Sequence, residues 1–394
     1  MEFNPFAPAV QQNPYPYFAH LRKHSPVYWV EPLQSWAVSR YEDVAYVAKN
    51  TQIFSSAPII PAILGDQNPV PEVSWLISAD PPEHTHLRKL VSKAFTPRMV
   101  GALEPRIKEI VAQLLDRIEE QAGEFDLVQD FSTPVPLMVI AEMLGVEPDR
   151  YREFKQWSDD MIRATGGAEV SPAERERLRG SMDDLRRYFE QTIEERRRSS
   201  GGEDLISALV RAEEEREALT AREVLAMCLL LLLGGNETTT NLIGNTVMTL
   251  LSHPDELAKV RGDLAIVPQM IEEMLRYEAP AQALLRVATT DTEIAGKAIR
   301  AGSGIMILYG SANRDERRFP NPDTFDVMRN PRDHLAFGFG IHHCIGAPLA
   351  RLEARIAMDG FLRRFPRVQL SNQPREWIDS FVMRGPKSLL LQLS

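Results

Sequence analysis

The residues best placed to do chemistry stand in one ten-residue stretch, Phe337-Gly338-Phe339-Gly340-Ile341-His342-His343-Cys344-Ile345-Gly346. Cys344 is one of only two cysteines in 394 residues. An alanine-rich, arginine-dotted helical run, Ala347 to Phe361, follows directly, so the thiol sits just before a helix start. Unpaired backbone N–H groups and the helix dipole at such a place lower a thiol's pKa and favour the thiolate. A thiolate so presented is a nucleophile or a metal ligand. Gly338, Gly340 and Gly346 let the backbone turn sharply and approach a flat ligand closely. Two plainer readings compete. A lone cysteine is usually a small buried hydrophobe, as Cys228 inside its apolar run is expected to be. Adjacent His342, His343 and Cys344 suggest zinc, but structural zinc wants four ligands, typically in paired spacings.

Three more clusters carry chemistry. Gly234-Gly235-Asn236-Glu237-Thr238-Thr239 interrupts an apolar segment that opens on a capping box, Thr220-Ala221-Arg222-Glu223, and runs to Leu251. The pattern predicts a helix of roughly 30 residues, about 45 Å long. Two glycines inside a helix cost roughly 1 kcal/mol each relative to alanine. A flat ligand packed against the backbone would need the missing side-chain volume. His84 and Arg88, four apart behind Asp80-Pro81-Pro82-Glu83, share one helix face and suit an anionic ligand. Glu273 and Arg276 stand three apart, a spacing weak in isolation because Glu174/Arg177, Glu176/Arg179 and Glu194/Arg197 also show it.

Taken in order, these stretches resemble the cytochrome P450 family, whose cysteine loop reads aromatic-Gly-x-Gly-x-His-x-Cys-x-Gly. The resemblance covers nearly the whole chain. It implies that Cys344 is the proximal thiolate of a haem b iron. It further implies that His84, Arg88, Arg286 and His342 seat the propionates, with Phe337, Gly338, Gly346 and Gly234 against the macrocycle. Glu237 and Thr238 match the family's acid–alcohol pair for proton delivery. Glu273, Arg276 and Arg329 match its structural ion pair. Ile63, Trp75, Leu233, Gln282, Leu284, Val382 and Met383 fall where the family builds its substrate wall. The implied activity is hydroxylation or epoxidation of a small apolar substrate with O2. Natural products such as macrolides, polyketides or terpenoids, steroids and fatty acids are the candidate classes. A ferredoxin and a ferredoxin reductase would supply electrons, since no flavin or iron–sulfur segment is visible. Lys89, Lys93, Arg351 and Arg355 are the expected docking cations. Two alternatives stand beside this reading: a peroxide-driven peroxygenase, which the Glu237-Thr238 pair argues against, and a non-catalytic haem-binding sensor.

The resemblance implies a fold that is mainly α with small β-sheets, the haem lying between the long central helix and the cysteine loop, in a single domain over 1–394. The individual elements that must position these residues are read from pattern. Val27 to Val30 and Trp36 to Val38 read as strands, Tyr41 to Lys49 as a helix. Residues 55 to 76 read as an irregular apolar loop broken by Pro58, Pro61, Pro69 and Pro71. Ile107 to Ile118, Val135 to Leu144, Trp157 to Arg163 and Glu174 to Arg198 read as helices. The last two meet around residues 164 to 172, where the resemblance implies a mobile lid. Ser199-Ser200-Gly201-Gly202 is expected to end the last of them. Glu293 to Ile299 and Ile305 to Leu308 read as two strands. A formal charge of -10 argues against a nucleic-acid partner. The longest apolar run, Val224 to Leu233, is too short for a bilayer, which needs about 20 residues. A cytoplasmic monomer is expected.

Overall fold

A computed structural model describes residues 2–165, 171–199, 202–214, 217–373 and 375–393. Part of the expected lid, 166–170, and the helix-ending Ser200 and Gly201 lie outside the described residues. In chain order the main elements begin with α1 (Tyr15–His24), β1 (Val27–Val30), β2 (Ser35–Val38), α2 (Tyr41–Lys49) and β3 (Phe54–Ser55). Next come α3 (Ile59–Leu64), α4 (Glu83–Ala94), α5 (Glu104–Gln121), α6 (Pro134–Met143), α7 (Tyr151–Thr165) and α8 (Pro172–Arg198). The chain continues through α9 (Ala221–Ser252), α10 (Val267–Tyr277), β4 (Ala283–Ala288), β5 (Thr292–Ile294) and β6 (Lys297–Ile299). It finishes with β7 (Gly304–Leu308) and α11 (Ala347–Arg364).

The chain forms two compact units. The first comprises Met1–Ser55, Arg106–Val135 and Thr238–Ser394. Its five-stranded sheet has the order β1-β2-β7-β4-β3. β7 pairs parallel with β2 and antiparallel with β4, which sets Arg286 opposite Ile305 and Leu284 opposite Ile307. Inward-facing Val38, Phe54, Ile305 and Ile307 meet Val44 and Val47 of α2 in one apolar cluster. α10 packs on α11. Gly360 lets α11 lie close on α5, because a Cβ there would stand 2.9 Å from a Val111 methyl. One expectation fails here. Glu293 to Ile299 is not a single strand but the β5–β6 hairpin, turned at Ala295 (φ 47°) and Gly296 (φ 80°). Two consecutive left-handed residues make the tight turn that joins antiparallel strands.

The second unit comprises Ser56–Pro105 and Pro136–Glu237. α7 packs along α8. Buried Asp160 fixes the pair by accepting from Arg177 at 2.8 Å and from the Ser181 hydroxyl at 2.7 Å. Ser171 caps α8 through the Glu174 N–H, with proline at the first helical position. At the start of α9 both bonds of the capping box form: Thr220 N–H to Glu223 at 2.7 Å, and Glu223 N–H to the Thr220 hydroxyl at 3.2 Å. α9 then runs 32 residues without a break through Gly234-Gly235. The 55–76 stretch is also more regular than its prolines suggest. Pro58 stands just outside α3 and Pro61 in its first turn, where the missing N–H has no intrahelical partner to lose.

Candidate active site

The cysteine stretch folds as a tight loop in the first unit. The Cys344 N–H donates to the Phe337 carbonyl at 2.8 Å, and the Gly338 N–H donates to the Leu335 carbonyl at 2.9 Å. Gly338 (φ 73°) and Gly340 (φ 72°) take left-handed conformations that side chains resist. A Cβ on Gly340 would stand 3.1 Å from the Ala48 carbonyl oxygen, so the loop presses on the end of α2. A Cβ on Gly338 would stand 3.4 Å from the His342 carbonyl oxygen and 3.6 Å from the Tyr309 hydroxyl. The Cys344 thiol is exposed, and a side chain at Gly346 would begin 3.7 Å from its sulfur. Cys228 is buried, and burial pushes its thiol up, out of the reactive range. Only one of the two cysteines is presented for chemistry.

The same unit holds Arg286 and His342. Arg286 is 1% exposed and donates to the Leu285 carbonyl at 2.7 Å. Its charge partly offsets the burial that pushes up the Tyr309 hydroxyl. Tyr309 thus joins Arg286, Gly338 and His342 in one neighbourhood. In the second unit, His84 and Arg88 lie on α4 one turn apart. His84 is 2% exposed; burial, then the Arg88 charge, hold its imidazole below the usual value, against a smaller opposing effect of Asp80.

Within the largely buried α9, Gly234 is exposed and Leu230, Leu233, Gly235, Glu237 and Thr238 are half-buried. Leu233, Gly234, Glu237 and Thr238 recur at helical spacing and form one partly open face. The two glycines have different reasons. A Cβ on Gly235 would stand 2.6 Å from the Ile140 terminal methyl, so this glycine admits α6. A Cβ on Gly234 meets nothing within 4 Å, so it is Gly234 that keeps the open face flat. Packing against Ile140 is thus a reason for Gly235 that needs no ligand. Burial pushes the Glu237 carboxyl up to about 7. Asn236 beside it donates to the Ser158 hydroxyl on α7 at 2.8 Å.

Glu273 and Arg276 are both fully buried and joined by two bonds, 2.7 and 2.8 Å. Arg329 adds a third bond to Glu273 at 3.1 Å. Arg276 also donates to the carbonyls of Asn313, Pro322 and Thr324. The remaining wall candidates divide. Leu284, Val382 and Met383 are half-buried in the first unit, Ile63 in the second. Trp75 is buried. Gln282 is turned into the fold: its amide donates to the Ala279 carbonyl at 2.7 Å and lies against Gly310. Arg351 is not a loose surface cation either, since it makes two bonds to Glu272. Sequence reasoning passes over Tyr309, Glu272 and His334. The doublet Glu272-Glu273 holds a signal, because adjacent helical positions point roughly 100° apart and here meet different neighbours, Arg351 and His334 for Glu272 and Arg276 and Arg329 for Glu273.

Within the first unit, Cys344, His342 and Arg286 fit a flat group carrying a soft metal and carboxylates. A single thiol supplies the sulfur such a metal takes. The glycines beside it keep side chains away. Imidazole and buried guanidinium groups are the partners carboxylates take.

The family model for cytochrome P450 matches residues 6–393. Among curated relatives, 6-deoxyerythronolide B hydroxylase of Saccharopolyspora erythraea is 38% identical over 392 residues, 95% of each chain. Among solved structures, cytochrome P450 CYP109Q5 from Chondromyces apiculatus is 44% identical at a TM-score of 0.89, covering 100% of this chain and 98% of that one. CYP109E1 from Bacillus megaterium, solved in complex with testosterone, is 38% identical at a TM-score of 0.88, covering 97% and 99%. Agreement of sequence and backbone over nearly the full length leads to one conclusion: the chain belongs to the cytochrome P450 family.

Proposed function

We propose that this haem-iron monooxygenase hydroxylates or epoxidises a macrolide, polyketide, terpenoid, steroid or fatty acid. The substrate class is supported by one relative named for hydroxylating 6-deoxyerythronolide B and another solved with testosterone. Electrons come from a ferredoxin and its reductase, and residues 1–394 make a single cytochrome P450 domain with haem b as its cofactor. The single observation that carries the assignment of roles is the open face of α9, where a bare Gly234 adjoins a carboxyl and a hydroxyl.

Bound haem iron would supply dioxygen activation, and Cys344 would give it its thiolate ligand. His84, Arg88, Arg286 and His342 would bind and orient the propionates. Glu237 holds a proton on its carboxyl and gives it up near neutral pH, because burial has moved its pKa to about 7. The Thr238 hydroxyl, next along the helix, both donates and accepts, and so holds the proton at the open face. Leu233, Leu284, Val382 and Met383 exclude water and set the substrate's pose. No helix among the described residues is long and apolar enough to cross a membrane; we place the enzyme in the cytoplasm as a monomer.

Two results are expected at this site. Thr238→Ala keeps haem but diverts electrons to peroxide, so product per NADPH consumed falls several-fold; unchanged coupling would remove Thr238 from proton delivery. Coupling in the wild type declines as pH rises through about 7, because Glu237 then loses the proton it must give. Glu237→Gln abolishes that alkaline limb, and a limb that persists there belongs to another group. The substrate is found by a spectral screen over the five compound classes, followed by turnover with a surrogate ferredoxin system. Binding without oxygen-dependent product under any redox system would favour a sensor instead.

A further inference from the structure

Glu272 points away from the buried Glu273 pair and towards the base of the cysteine loop. Arg351 of α11 donates to it twice, Nε to Oε1 at 2.6 Å and Nη2 to Oε2 at 2.9 Å. His334 Nε2 meets the same Oε2 at 3.0 Å, and the Ala336 N–H donates to His334 Nδ1 at 3.3 Å. Those partners define the tautomer: Nδ1 accepts, so Nε2 carries the proton and donates to the carboxylate. The Arg351 guanidinium lies 4.4 Å from the centre of the Phe337 ring, and the His334 ring centre lies 6.0 Å from it. Phe337 is thus held by a cation on its ring and an imidazole beside it. Its carbonyl in turn takes the Cys344 N–H at 2.8 Å.

Each of these contacts lies within the first unit, and together they run without a gap from α10 to the cysteine. Burial disfavours a charge on Glu272, but the bonds from His334 and Arg351 outweigh it and hold the carboxyl down at about 2. The carboxylate therefore stays ionised at working pH, and its bonds are lost only as pH falls towards that value.

We propose that Glu272, His334 and Arg351 form a brace that fixes Phe337 and, through its carbonyl, the Cys344 amide, making them positioning residues for the thiolate. The inference rests on the reading of Cys344 as the iron ligand. With the brace intact, the loop has one conformation and the sulfur is held as an anion against iron. With it loosened, Phe337 and the Cys344 amide shift together, and protonation of the sulfur competes with metal binding.

The test compares Glu272→Gln, His334→Ala, His334→Gln and Arg351→Lys as full-length holoproteins. The readouts are the reduced carbon monoxide spectrum and the reduction potential of the substrate-free iron. Glu272→Gln and His334→Ala should raise the fraction of the thiol-type complex several-fold over wild type and shift the potential, in molecules that retain haem. His334→Gln, which keeps a donor and an acceptor, should restore much of the thiolate band. Arg351→Lys keeps the charge but not the two-pronged bond or the ring cover, and should show a smaller shift in the same direction. Its side chain is 38% exposed, so it reports even where the more buried variants fail to fold. Thiolate bands and potentials identical to wild type in haem-replete variants would overturn the brace. A wild type with no thiolate band would instead overturn the ligand assignment beneath it.

Discussion

Cys344→Ala should give a folded protein with no thiolate-type carbon monoxide band and activity reduced to background. The reasoning is local. Cys344 is exposed, and trimming an exposed side chain usually changes stability by less than about 0.5 kcal/mol. The loop itself is held by backbone bonds, Cys344 N–H to Phe337 and Gly338 N–H to Leu335, which alanine preserves. What disappears is the only soft anionic donor in that loop. Haem that remains would be held by its carboxylates and by packing, and should be lost on gel filtration more readily than from wild type. Cys228→Ala is the matched control. Its thiol is buried and pushed away from ionisation, so the variant should keep the thiolate band. Loss of the band in Cys228→Ala and its survival in Cys344→Ala would exchange the two assignments.

Arg276→Ala should be the most damaging substitution away from that loop. Glu273 and Arg276 are fully buried, and Arg276 ties Glu273 to carbonyls of Asn313, Pro322 and Thr324. Without the guanidinium, Glu273 keeps only its bonds with Arg329 and the Asp326 N–H, and three carbonyls lose a donor. Breaking a buried pair by removing one partner costs about 3–5 kcal/mol. Whole domains are stable by only about 5–15 kcal/mol. The expected outcome is poor soluble yield, a melting temperature many degrees lower and no haem uptake. Arg276→Lys should rescue little, because a single ammonium cannot bond both carboxylate oxygens and reach three carbonyls. A haem-replete Arg276→Ala protein with a near wild-type melting temperature would show that this network is dispensable.

Residue type and spacing single out Cys344, but not Arg276, whose spacing from Glu273 recurs at Glu174/Arg177, Glu176/Arg179 and Glu194/Arg197 and which only the family resemblance picks out. Cys344 stands out because the loop's glycines and histidine occupy fixed positions over ten residues. The helices are legible where apolar residues recur at helical spacing, as in α5, or where a capping box marks the start, as in α9. The misses have equally specific causes. α3 is hidden by Pro58 and Pro61, which stop a helix in its interior but not at its entrance. The β5–β6 hairpin is hidden because only Gly296 marks the turn, and Ala295 adopts a left-handed conformation that alanine seldom takes. Gly235 reads like its neighbour Gly234 in the sequence, and only the packing of Ile140 on α6 tells them apart. His334 and Arg351 meet Glu272 from 62 and 79 residues away, contacts that no local pattern encodes.

X-ray absorption at the iron edge of the purified wild-type protein tests the ligand assignment most directly. The account predicts one sulfur in the first coordination shell of the iron, present in Cys228→Ala and absent in Cys344→Ala. A wild-type shell of nitrogen and oxygen alone would contradict it.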